Sequence, residues 1–121
     1  MKYLLLIYQS EGDVTSAGPE ERASLLAGYD QFNATYGARG VLRGGAELQP
    51  TATATSVRVR EGETLLVDGP FAETKEQLAG YYVVDCASLD EALEIAASIP
   101  GARFGTIEVR PQVEGVGPSD S

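Results

Sequence analysis

The sequence predicts an α+β fold built on one antiparallel sheet, with the open side of that sheet closed by a second copy of the chain. Three observations carry the prediction. Apolar runs of strand length and stretches of helical periodicity follow one another as strand, helix, strand, hairpin, strand, helix, strand. Without the hairpin this order is βαββαβ, the ferredoxin-like arrangement, whose two helices cover one face of the sheet. Yet residues 2–8 and 80–86 are apolar at successive positions, the pattern of strands buried on both sides. Exposed apolar sheet marks an interaction surface and two-fold dimers are the commonest oligomers, so the expected assembly is a dimeric α+β barrel.

Each element has a local reason. The first strand is the apolar run of residues 2–8, followed by a polar stretch, residues 9–18, read as a loop. Pro19-Glu20-Glu21 opens a helix, since proline is tolerated in the first turn and acids there complement the helix dipole. Leu25, Leu26, Tyr29, Phe32 and Tyr36 recur as its apolar stripe, and Gly37 and Gly40 end it. Residues 41–48 read as a strand interrupted by Gly44-Gly45, which predicts a bulge or a close approach. Residues 49–54, with Pro50, are a loop.

Residues 55–60 alternate, with Thr55, Val57 and Val59 on one face and Ser56, Arg58 and Arg60 on the other. The turn Glu61-Gly62-Glu63 returns the chain through residues 64–67 as a hairpin. Asp68-Gly69-Pro70 is a turn, and residues 71–78 are expected to contain a helical turn that exposes Glu73, Lys75 and Glu76. Residues 80–86 form the next strand. Ser88-Leu89-Asp90-Glu91 is a capping box opening a helix with Leu89, Ala92, Leu93, Ala96 and Ala97, stopped before Pro100-Gly101. Residues 104–110 are the last strand, closed by Pro111. The predicted domain is residues 1–111, with a loose tail from 112 to 121.

Composition bounds the function. With 121 residues, 43% apolar and 22% charged, the chain has the size and usage of a single domain with one core. Its 18 acids against 9 bases give a net charge of −9, and the bases are scattered singly except for Arg58 and Arg60. Nucleic acid and anionic membrane are therefore poor partners. The N-terminal apolar run is too short to span a bilayer and no small-residue cleavage site follows it, so a cytoplasmic location is expected. Cys86, the only cysteine, lies in an apolar strand without a basic neighbour and reads as a small core residue. Histidine is absent, which removes the commonest general base and metal ligand and excludes Ser–His and Cys–His nucleophile pairs. No metal or cofactor is expected, and Gly44-Gly45 is followed by no helix and lacks a phosphate-loop pattern.

The run Asp68-Gly69-Pro70-Phe71-Ala72-Glu73-Thr74-Lys75-Glu76-Gln77-Leu78 resembles the signature of the DGPF branch of the YCII-related domain family. The likeness extends to Met1-Lys2-Tyr3-Leu4-Leu5-Leu6-Ile7-Tyr8, to Gly44-Gly45-Ala46-Glu47-Leu48, to the loop around Thr51 and Thr53, and to Gly105-Thr106-Ile107-Glu108-Val109-Arg110-Pro111. The resemblance implies the same fold and dimer. Many DGPF proteins look like companions of sigma-type transcription factors, and the broader family includes an enzyme that eliminates chloride from a chlorinated hydroquinone. It also implies an active site built on a histidine and an aspartate. By position the histidine's place is held here by Tyr29.

Asp68 is the leading candidate carboxylate, either a general base or ligand contact, or an Asx-turn residue over Gly69 and Pro70. Tyr29 is a hydrogen-bond donor or weak acid in a groove between helix and sheet, or a core tyrosine with its hydroxyl at the edge. Arg58, beside Arg60, clamps an anion or pairs with acids of the hairpin. Gly44, Gly45 and Tyr8 complete the ligand-binding candidates. The expected function is binding of a small aromatic or hydroxylated ligand in a cleft, with cofactor-independent acid–base chemistry as its catalytic form. The alternatives are a non-catalytic module that docks a sigma-type transcription factor and a purely structural dimer.

Overall fold

The computed structural model describes residues 1–115. Four strands form the main sheet: β1 (Lys2–Gln9), β2 (Leu42–Glu47), β5 (Gln77–Asp85) and β6 (Thr106–Pro111), in the order β2-β5-β1-β6 with every neighbouring pair antiparallel. Three helices, α1 (Glu11–Thr15), α2 (Pro19–Ala38) and α3 (Leu89–Ala97), and a separate hairpin, β3 (Thr55–Arg60) and β4 (Glu63–Asp68), complete an α+β architecture. Among the described residues no helix is long and apolar enough to cross a membrane.

The pleat decides what is buried. Along β1 alternate residues Tyr3, Leu5, Ile7 and Gln9 are buried, and they face the helices. Phe32 from α2 and Ala92, Ile95, Ala96 and Ile99 from α3 and its end close over them, with Val84 of β5 in the same cluster. Phe32 tilts between the rings of Tyr36 and Tyr82, with centroids 4.8 and 4.9 Å away. Each such pair adds about 0.5–1.5 kcal/mol beyond the area it buries. The other face is open. Register sets Leu4 against Val83, Leu6 against Tyr81 and Tyr8 against Leu78, and no described element covers them.

Several local expectations hold. Ser88 Oγ accepts the Glu91 amide at 3.3 Å, capping α3. The hairpin turns through Glu61 (φ 51°) and Gly62 (φ 79°), the pair of positive angles that a two-residue turn of strand-compatible twist needs. Cys86 is buried, and burial pushes its thiol up, away from reactivity.

Others are corrected. Residues 11–15 of the supposed loop form α1, whose first turn carries Glu11 and Asp13. Residues 71–76 contain no helical turn and run irregularly into β5, which starts at Gln77, earlier than its apolar run suggested. Leu26 is exposed on α2, while Leu89 and Leu93 are half exposed on α3, and Ile95 takes the core position instead. The backbone N–H of Gln112 still donates to Lys2 at 2.9 Å, continuing the β1–β6 ladder past Pro111. Residues 116–121 of the expected tail lie outside the described residues.

Candidate functional site

The site arises where β2 runs out of side chains. β2 is an edge strand paired only with β5, and its register shifts between Leu42 and Gly44, leaving Arg43 as the bulged residue. Beyond the bulge Gly45 faces the helices. A Cβ there would stand 2.7 Å from the Tyr81 carbonyl oxygen and 3.1 Å from Tyr82 Cδ1, so only glycine fits. With no side chain rising from this part of the sheet, α2 spans a groove of about 530 Å³. Tyr29, Asp30 and Asn33 line its helical wall; Gln9, Gly45 and Glu47 line the sheet side.

Tyr29 is the chemical centre of this groove. Burial raises its phenol above the ordinary value; the nearby Gly101 backbone and Gln9 side chain oppose that, and the charge of Glu47 reinforces it. The packing here is tight: a Cβ on Gly101 would lie 2.6 Å from Gln9 Nε2 and 2.9 Å from Tyr29 Oη. The hydroxyl keeps its proton at neutral pH, and so can donate it to a ligand atom. Tyr82 stands beside it, its hydroxyl donating to Asn33 Oδ1 at 2.7 Å. Burial, the neighbouring Tyr29 and Glu47 all push the Tyr82 phenol up as well.

The residues singled out from sequence are divided among three places. Tyr29 and Gly45 meet in the groove. Gly44 lies opposite Val83 and therefore on the open face, as does Tyr8, whose hydroxyl donates to Glu108 Oε1 at 3.4 Å. Asp68 and Arg58 sit on the hairpin. Asp68 pairs with Thr55 and Arg58 with Leu65, so their side chains leave opposite faces of the ribbon. Both are exposed, and the groove lining includes neither. Asp68 is thus not set beside Tyr29 within one chain.

Gln9 and Gly101 were missed in the sequence. Gln9 continues the inward series Tyr3, Leu5, Ile7, and a polar residue at the next inward position is a readable signal. It is the one buried polar side chain among the described residues, 7% exposed. Gly101 gave no signal beyond helix termination, because its role depends on what lies against it in space. Glu11 was missed too. Its carboxylate accepts the Thr51 amide at 2.8 Å and the Thr51 hydroxyl at 3.1 Å, fastening the threonine-rich loop beside the end of β1.

A second, larger groove of about 900 Å³ runs between α2 and the Pro100 turn. Its charged lining, including Glu20, Glu21, Arg22 and Arg103, is wholly exposed, so it lacks the fixed, desolvated polar groups that a specific ligand site needs. No group of three or more His, Cys, Asp or Glu among the described residues is arranged to hold a metal ion.

Comparison with known proteins agrees with the likeness seen in the motifs. An uncharacterised protein of Rhizobium meliloti (strain 1021) is 42% identical over 113 residues, covering 92% of this chain and 91% of its own length. The YCII-related domain model matches residues 1–114. The chain accordingly belongs to the YCII-related domain family.

Proposed function

We propose that this protein, as a member of the DGPF branch, binds a small aromatic or hydroxylated molecule in the groove between α2 and the β2 edge, with Tyr29 donating the orienting hydrogen bond. The observation that carries this is the packing of half-buried Tyr29 against buried Gln9 and Gly101 at a groove walled mostly by apolar, aromatic and small residues, with Asp30, Asn33 and Glu47 among its polar lining. Ligand sites combine apolar walls with a few fixed polar groups, and this groove has both. The reading is of binding first. A catalytic form pairing Tyr29 with Asp68 finds no support within one chain, because Asp68 stands on the hairpin.

The same proposal includes a ferredoxin-like core and a homodimer. The strand order β2-β5-β1-β6 with both long helices on one face supports the first. The uncovered apolar centre of the other face, Leu4, Leu6, Tyr81 and Val83, supports the second. The hairpin favours an additional role in docking. It stands apart from the main sheet and exposes Val57, Val59, Leu65, Leu66 and Val67, more apolar surface than an isolated two-stranded ribbon usually carries. A protein partner, of the sigma-factor type that family resemblance suggests, fits such a surface.

A thermal-shift panel of phenols, hydroxy acids and nucleotides tests the ligand reading, because a ligand of the folded state raises the midpoint by mass action. We expect a hit that is lost in Tyr29→Phe and kept in Asp68→Asn. A hit lost only in Asp68→Asn moves the site to the hairpin. Silence across the panel refutes small-molecule binding and leaves docking as the function.

A further inference from the structure

Val14 and Leu25 are the two residues that line both grooves. One comes from α1 and the other from the second turn of α2, so their side chains form the partition between the 530 Å³ space over the β2 edge and the 900 Å³ space beside the Pro100 turn. The partition is held in place by polar ties, since α1 has no buried residue. At the start of α1 the Glu11 amide donates to Gln77 Oε1 at 3.0 Å and the Glu11 carboxylate accepts from Thr51; at its end Arg22 Nη2 donates to the Thr15 carbonyl at 3.1 Å. Along α2 the smaller groove is graded. Asn33, joined to the Tyr82 hydroxyl, and Tyr29 mark a polar end, whereas Leu25, Leu26 and Val14 mark an apolar one. The two turns of helix from Asn33 to Leu25 run about 12 Å, room for a phenol ring and a tail of about four carbons.

We propose that Val14, backed by Leu25, sets the length of the ligand: the groove takes a 4-alkylphenol with its hydroxyl at the Tyr29–Asn33 end and its tail along α2, and Val14 is the stop that the tail meets. This rests on the groove being the ligand site. The reverse orientation would press the ligand hydroxyl against Val14 and Leu25, where it loses water without gaining a partner. Beyond the stop the larger groove offers Phe32, Pro100 and Phe104, so a tail that passes Val14 has apolar surface to cover.

The test is a series from phenol to 4-hexylphenol, titrated into the full chain and followed through amide NMR signals. Gly45 and Gly80 report on the smaller groove and Gly28 on the larger. In the wild type affinity is expected to rise about two- to fourfold per methylene and then to level or fall at the stop, with Gly28 unmoved. Val14→Ala should extend the rise by about one or two carbons and bring Gly28 into the response; Val14→Phe should shorten it. Val14 is 38% exposed and outside the buried core, so neither change removes a core contact, and shifts in opposite directions have no source in a general loss of stability. A break at the same length in all three proteins, or a rise without a break, overturns Val14 as the stop and leaves the groove as the ligand site. If no phenol moves Gly45 or Gly80, the groove reading itself fails and the length rule fails with it.

Discussion

Gly101→Ala is the sharpest probe of the arrangement around Tyr29. The new Cβ would stand 2.6 Å from Gln9 Nε2, 2.9 Å from Tyr29 Oη and 3.3 Å from Ile7 Cγ2. Ordinary contact begins near 3.4 Å, so the first two groups must move by about half an ångström or more. Gln9 is buried and Tyr29 half-buried, so neither can swing freely aside. Overpacking of this kind costs about 1–3 kcal/mol. Tyr29→Phe alone removes a half-buried hydroxyl and its polar neighbours' partner, at a cost of about 0.5–1.5 kcal/mol. The double variant removes the hydroxyl that the methyl group strikes. Its cost should therefore fall short of the sum by about 0.5–1 kcal/mol, the coupling of residues in contact. Urea unfolding of the four proteins at one fixed concentration, monitored by far-UV circular dichroism, measures it. Additive costs, within about 0.3 kcal/mol, would refute the close packing of Gly101 against the Tyr29 hydroxyl.

Two further outcomes follow from the same geometry. The fold holds Tyr29 and Tyr82 as neutral phenols with pKa values raised above the unfolded value of about 10. Their contribution is constant below about pH 10 and is lost as pH rises through the folded values, because the unfolded chain ionises first. Urea midpoints should fall more steeply above about pH 10 in the wild type than in the Tyr29→Phe, Tyr82→Phe double variant, and equal slopes would contradict the shifts. On the open face, Leu6 lies opposite Tyr81 in the middle of the sheet, so Leu6→Glu places a charge at the centre of the proposed dimer surface. Sedimentation should give twice the 12.8 kDa of one chain for the wild type and a single chain for the variant; a monomeric wild type removes the dimer.

The parts of the fold legible in the sequence are those governed by local rules. The alternation of Tyr3, Leu5 and Ile7, the cap at Ser88, the Glu61-Gly62 turn and the anomaly at Gly44-Gly45 each have a cause within a few residues of chain. Burial within the helices was harder to read. Most of the α2 stripe faces inward as expected, but Leu26 does not, because the groove leaves no sheet side chain beneath it to pack against. On α3 the buried face is Ala92, Ile95 and Ala96, and that phase of the helix turns Leu89 and Leu93 outward. The strip from Gly69 to Glu76, the run that resembles a family signature, has no regular structure, so motif strength is no guide to local conformation.

The candidate site was half legible, and the division has a physical origin. Tyr29 and Gly45 violate local expectation where they stand: one is a polar tip on an apolar stripe, the other a residue without a side chain in the middle of a strand. Such violations persist when something in three dimensions compensates for them, and here each compensates for the other. The missing side chain at Gly45 makes the space; the phenol at Tyr29 supplies its polarity. Asp68 ends a strand at a Gly-Pro turn as expected, though the Gly69 amide donates to Ala54 rather than to its carboxylate, and it stands in the hairpin rather than the groove. An exposed carboxylate at a turn is unexceptional. A buried glutamine at the end of an apolar strand is not, which is why Gln9, unremarked in the motif, is the better guide to the proposed ligand groove.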